Sequence, residues 1–259
     1  DLNQLIKAKP NSFMTYLRLA ELDQRLGLEK QARADRDTFI NMPLTEERDL
    51  IERSNFLKDN ALVAQALRDA FNALELYPHS RHALYAISDL FELTDSTKEA
   101  DYLLSLKKIP RYSSLYSQID YCLSSYYEQK RNYPKALSYL KAASIDKDLS
   151  DKVDTQKAII YYRQKRYKEA EQQFALNIEH QPQNYENYLW RGRMHKALKK
   201  YDLALADFDH ALLLAPGSID TYKSKAMTLS EINKPKAALH IVEQALDRQT
   251  QKSLELLEF

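Results

Sequence analysis

The chain has 259 residues, 44% hydrophobic and 10% aromatic, which is enough to bury a substantial core and too apolar for a disordered segment. Its 38 Lys and Arg against 37 Asp and Glu leave a net charge of +1, which argues against a duplex nucleic-acid reader. Cys122 is the single cysteine, which excludes an internal disulfide framework and a multi-cysteine zinc site but leaves the compartment open, cytoplasmic or periplasmic.

In chain order, LNQLIKAKPNS places Leu2, Leu5 and Ile6 on a helix ending near Pro10. DLNQLIKAKP lacks the basic, apolar and small-residue regions of a signal peptide, and the absence of an initiator Met points to a processed or excised chain. From there, apolar residues recur at helical spacing almost throughout, as in Ala136, Leu137, Leu140 and Ala143, and again in Leu203, Leu205, Phe208, Leu212 and Leu213. Three glycines beside abundant Ala, Leu, Lys, Glu and Gln are the composition of helices joined by short turns, so the chain reads all-α. The run KKIPRYSS interrupts the pattern, with Pro110 expected to end a helix. SLELLEF carries Leu254, Leu257 and Phe259 into a further helix. No window approaches the ~18 consecutive apolar residues of a membrane span, so a soluble segment without membrane insertion is expected.

The helical pattern repeats. Ala32, Ala66, Ala100, Ala136, Ala170, Ala204 and Ala238 are separated by 34 residues at every step except one of 36. Twelve residues before each lies another small residue: Ala20, Ser54, Ser88, Ser124, Ala158, Gly192 and Ala226. Two small columns at fixed separation mean that two helices approach where a larger side chain would collide. Tyr127, Tyr161, Phe174 and Phe208, a turn away, are expected to fill the space between neighbouring units. Neither helix suffices alone, so stacking neighbours must create the core.

These residues resemble the tetratricopeptide repeat, whose unit has 34 residues and a W-x2-L-G-x2-Y, A-x3-F, P pattern. The best match is 185–218, with Tyr188, Arg191, Gly192 and His195 in the first helix and Ala204, Phe208, Ala211 and Pro216 in the second helix and its exit. The resemblance implies a right-handed superhelical solenoid of stacked antiparallel helix pairs. It places three divergent units at 13–46, 47–80 and 81–114, a two-residue insertion at 115–116, and four units at 117–150, 151–184, 185–218 and 219–252. Residues 1–12 read as the second helix of a truncated preceding repeat, and 253–259 as a truncated capping helix or the start of another unit. The insertion reads as a long loop or a hinge. Departures from the pattern are Asp120 and Asp154 for the first aromatic, Arg36 for the second-helix aromatic, and Asn177 for a small residue.

The chemical motifs are negative: no Gly-rich phosphate loop, H-E-x-x-H, C-x-x-C or G-x-S-x-G occurs, so no enzyme, cofactor or metal is expected. Gly27 falls in a turn, Gly192 in the small column and Gly217 after a helix stop. His79 and His82 read as a solvated turn and Cys122 as a structural thiol.

What remains is binding of a protein or peptide partner, with no nucleic acid; the oligomeric state is open. The resemblance implies a concave surface lined by first helices, which maps here to Tyr85, Tyr121, Lys152, Tyr162, Arg163, Arg193 and Lys196. Basic and aromatic side chains together suit an acidic or C-terminal peptide segment, against the blander reading of a solvated charged face with core tyrosines. Relatives that clamp a terminal carboxylate use Lys and Asn in one unit, Asn in the next, and Lys with Arg in a third. Here Lys223 fits one place but Met227 stands where its Asn partner belongs, which disfavours recognition of heat-shock-protein tails. The leading reading is thus a non-catalytic interaction scaffold. A bacterial periplasmic scaffold of a polysaccharide-export or secretion machine and a helper domain fused to an enzyme stay as alternatives.

Overall fold

A computed structural model describes residues 13–94 and 97–255; the segments expected at 1–12 and 256–259 lie outside the described residues. The helices in order are α1 (Phe13–Arg25), α2 (Glu29–Asn41), α3 (Glu47–Asp59), α4 (Val63–Leu76), α5 (Arg81–Glu92), α6 (Thr97–Leu106), α7 (Tyr116–Gln129), α8 (Tyr133–Ala143), α9 (Ser150–Arg163), α10 (Tyr167–His180), α11 (Tyr185–Ala197), α12 (Tyr201–Leu214), α13 (Ile219–Glu231) and α14 (Pro235–Glu255). No strand occurs among the described residues, so the chain is all-α. None of these helices is long and apolar enough to cross a membrane. The chain divides into two compact units, 1–122 and 123–259.

Helix starts are set by local chemistry. Ser80 caps α5 by accepting from the Ala83 N–H at 2.9 Å, and Asn184 caps α11 by accepting from Glu186 N–H at 3.1 Å. Pro235 opens α14, where its missing N–H costs nothing. Around Pro110 the irregularity is a 3₁₀ segment, Pro110–Leu115, with proline in its first turn.

Six first helices end by one rule. Gly27, Ala61, Arg131, Lys165, Lys199 and Asn233, each in the turn between paired helices, have φ between 57° and 74°. The residue after each donates its N–H to the carbonyl five positions back: Leu28 to Asp23, Leu62 to Leu57 and Asn132 to Tyr127 at 2.8 Å, and Arg166 to Tyr161, Lys200 to His195 and Lys234 to Leu229 at 2.9 Å. This is the Schellman closure, in which a left-handed residue turns the chain and satisfies a terminal carbonyl. Glycine fits that conformation best, yet five of the six positions carry a side chain. Ala61→Gly is therefore expected to raise stability by about 0.5–1 kcal/mol, the relieved left-handed strain outweighing the added freedom of the unfolded chain. A urea midpoint equal to or below that of the parent would contradict this.

The alanine column occupies one structural position. Ala32, Ala66, Ala136, Ala170, Ala204 and Ala238 are each the fourth residue of a second helix, as is Ala100 of α6. All but Ala238 are 0–6% exposed. The close approach expected between the two small columns is explicit: Ser54 Oγ donates to the Ala66 carbonyl at 2.9 Å, and a Cβ on Gly192 would lie 3.2 Å from the Ala204 carbonyl.

Large side chains then seal the pairs. Phe174 packs with Ala158, Ile159 and Ala170 and reaches Met194 of the next pair. Leu205 and Leu212 of α12 pack against Tyr222, Ala226 and Leu229 of α13. Phe208 differs from expectation: it sits chiefly within its own pair, against Tyr188, Leu189, Ala204 and Ala211, because Gly192 leaves room for the ring there.

Buried polar groups join neighbouring pairs as well. In the first unit Arg53 Nε and Nη2 donate to Asp69 at 2.6 and 2.8 Å, while Nη1 reaches the Phe39 and Met42 carbonyls of the preceding pair at 3.0 and 2.6 Å. In the second unit a similar network stays within one pair, α11 and α12: Asp207 accepts from Arg191 at 2.6 Å and lies 2.8 Å from His195 Nδ1. Burial pushes the Asp207 carboxyl up, but the hydrogen bonds from His195 and Arg191 outweigh it and hold the group below the usual carboxylate range. Asn177, a departure from the small-residue pattern, donates to Asn187 Oδ1 at 3.4 Å, and Thr155 joins it at 3.0 Å.

Candidate partner-binding surface

The second unit gathers four of the residues singled out by sequence. Tyr162 and Arg163 end α9, while Arg193 and Lys196 stand on the last turns of α11. Between them lies Trp190, the chain's single tryptophan, half-buried. The Arg193 guanidinium stands 4.5 Å above its ring centroid, Arg163 is at 5.6 Å, and the Tyr162 ring is tilted against it at 6.2 Å. Two cations over the indole fit the negative quadrupole of its faces. The indole holds its place because Trp190 and Tyr162 back onto the Ala158, Phe174 and Met194 cluster.

Two cavities share Tyr162. One, of about 400 Å³, is lined by Arg193, Lys196, Lys199, Lys223, Asp220, Ser224, Met227 and Glu231 among others. The other, of about 530 Å³, is lined by Glu128, Arg131, Arg163, Lys165, Tyr133 and Tyr167 among others. Together their walls hold seven basic and three acidic side chains. Arg163 pairs with Glu128, whose side chain is 6% exposed. Arg193 donates to Ser224 Oγ at 3.0 Å and lies 3.9 Å from Asp220. Lys196 is 3.4 Å from Glu231, which also accepts from Tyr201 at 2.9 Å. Burial, opposed by Asp220 and Tyr162, draws the Arg193 guanidinium below its usual value, though an arginine stays charged at neutral pH. Burial raises the Tyr162 phenol, with Tyr167 adding to it and both arginines opposing, so it is a neutral donor.

The other sequence candidates lie elsewhere. Lys152 is exposed near the start of α9, about 16 Å of helix rise before Arg163, outside the lining of both cavities. Tyr85 on α5 and Tyr121 on α7 are half-buried residues of the first unit. Sequence reasoning missed Trp190, whose signal was its being unique, and the turn residues Arg131, Lys165 and Lys199. In the first unit, His79 Nδ1 meets Ser114 Oγ at 2.7 Å and His82 lies 3.8 Å from Glu47; Cys122 is buried. No group of three His, Cys, Asp or Glu among the described residues could hold a metal ion.

No protein-family model and no curated protein matches the chain. Solved structures do. The chain is similar to a tetratricopeptide repeat protein from Parabacteroides merdae, with a TM-score of 0.62 at 16% identity over 91% of this chain and 93% of that one. It is similar to human IFIT1, a dimer with m7Gppp-AAAA, with a TM-score of 0.57 at 15% identity over 90% of this chain, and it spans 59% of the IFIT1 chain. It is also similar to the Cut9–Hcn1 hetero-tetramer of APC/C, with a TM-score of 0.54 at 16% identity, covering 95% of this chain and 48% of that chain. The chain therefore has the tetratricopeptide-repeat fold that the resemblance of its repeats implied.

Proposed function

We propose that the chain is a non-catalytic protein-interaction scaffold and that the surface around Trp190 holds an acidic segment of a partner polypeptide. One observation carries the reading: a chain of net charge +1 concentrates seven cations against three carboxylates around two adjoining cavities, with aromatic rings between them. Guanidinium groups and lysines attract carboxylates, and tyrosine and tryptophan offer rigid amphipathic area at low entropy cost. Among proteins of this fold, Cut9 occurs with Hcn1 in a hetero-tetramer, whereas human IFIT1 occurs with m7Gppp-AAAA. Glu128, Asp220 and Glu231 interrupt the basic lining here and would repel a continuous phosphate backbone, which favours a peptide with separated carboxylates.

Octaglutamate carrying a dye tests this by fluorescence anisotropy. Saturable binding that weakens with salt is expected, and Arg193→Glu should reduce affinity at least about tenfold by placing a like charge in the wall. Binding of equal strength by Arg193→Glu, or no binding by the parent, would count against the reading.

A further inference from the structure

Arg131, Lys165 and Lys199 stand at one structural position in three successive helix turns, 34 residues apart, each exposed and each with φ of 57–59°. All three border the two cavities: Arg131 and Lys165 line one, Lys199 the other. Each follows a helix C-terminus, whose carbonyls modestly favour a cation, yet a long side chain fits the left-handed region poorly and the equivalent turns at Gly27, Ala61 and Asn233 do without one. Among the described residues the other members of the column are Gly27, Ala61 and Asn233, all uncharged, so the positive charge there is confined to the turns beside the cavities.

Their ionic state separates them from the other cations nearby. Arg163, Arg193 and Lys196 already face Glu128, Asp220 and Glu231. The basic neighbours within the turns are engaged too: Lys130 lies over Tyr126, Arg166 is 2.9 Å from Glu169, and Lys200 is 3.9 Å from Glu171. Arg131, Lys165 and Lys199 make no ion pair among the described residues; Lys199 acts only at a distance on Glu231, which Lys196 and Tyr201 already hold, so most of this charge is left for a ligand.

We propose that these three turn residues form a cation ladder that anchors an extended acidic polypeptide segment, which deepens, and rests on, the reading that this surface takes an acidic partner. Packed helices lie about 8–10 Å apart, and an extended chain advances about 3.4 Å per residue. Carboxylates about three residues apart, or multiples of that, can therefore meet successive rungs. The helix-borne arginines then shape and orient the surface through Trp190, while the turns supply charge that no ion pair holds.

The test replaces all three together, Arg131→Gly, Lys165→Gly and Lys199→Gly, in the intact chain. Glycine removes the charge and suits the left-handed backbone, so the expected result is a higher urea midpoint together with about tenfold weaker binding of dye-labelled octaglutamate. A loss of binding with an unaltered or higher midpoint cannot come from misfolding. If the parent binds octaglutamate and the triple variant binds it equally well, the ladder is wrong while the acidic-partner reading stands. If the parent binds no octaglutamate, that reading falls and the ladder with it. Preferential binding of an eight-nucleotide oligouridylate by the parent would also overturn the proposal, by making the guest a nucleic acid.

Discussion

Phe208→Ala is expected to lower the unfolding free energy by about 3–5 kcal/mol, the range for deleting a fully buried aromatic side chain from a core that cannot collapse around the gap. Phe208 is 0% exposed and touches Tyr188, Leu189, Ala204 and Ala211. Collapse is blocked because the two helix backbones are already in contact: a Cβ on Gly192 would lie 2.6 Å from the Phe208 ring and 3.2 Å from the Ala204 carbonyl. For the same reason Ala204→Leu should cost about 1–3 kcal/mol by overpacking, although it adds apolar surface. Urea titrations of the two variants check both; a loss below about 1 kcal/mol for Phe208→Ala would show that the ring is not where the pair is held together.

The second large effect is expected at Asp69. Arg53 and Asp69 side chains are 4% and 1% exposed, joined in a two-pronged ion pair, with the remaining guanidinium edge on two carbonyls. Asp69→Ala strands a buried cation and should cost about 3–5 kcal/mol, much of it the penalty of the unpaired charge. Replacing both partners, as Arg53→Met with Asp69→Leu, should recover most of that loss, since an apolar pair of similar volume removes the stranded charge. A double-mutant cycle measured by urea unfolding separates the cases. Equal losses in the single and double variants would mean that packing, rather than charge pairing, dominates at this site.

The parts of the fold legible in the sequence are those governed by steric exclusion. Ala66, Ala170 and Ala204 have to be small because a backbone passes beside them, and this leaves a mark at a fixed interval whatever surrounds it. The left-handed turns left no such mark. Their usual sign is glycine, and here Ala61, Arg131, Lys165, Lys199 and Asn233 take the conformation instead. Arg53 and Asp69 were equally silent, since residues 16 apart on different helices share no helical period, and the same arrangement recurs only as far away as Arg191 with Asp207 among the arginine–aspartate pairs of the described residues. At the candidate surface beside Trp190, Tyr162, Arg163, Arg193 and Lys196 were singled out from their register on first helices. Which of these cations are already neutralised depends on Glu128, Asp220 and Glu231, contributed by other helices, and no register argument reaches that.

The central claim is that each helix pair is sealed by its immediate neighbours rather than by one shared centre. Amide hydrogen exchange in Phe208→Ala, followed by NMR at the hydrogen-bonded N–H groups of Ala66, Ala170 and Ala204, tests it most directly. The account expects protection to fall most at Ala204, less at Ala170 and least at Ala66. An equal fall at all three positions would contradict it, because only a chain that opens as one body loses protection uniformly.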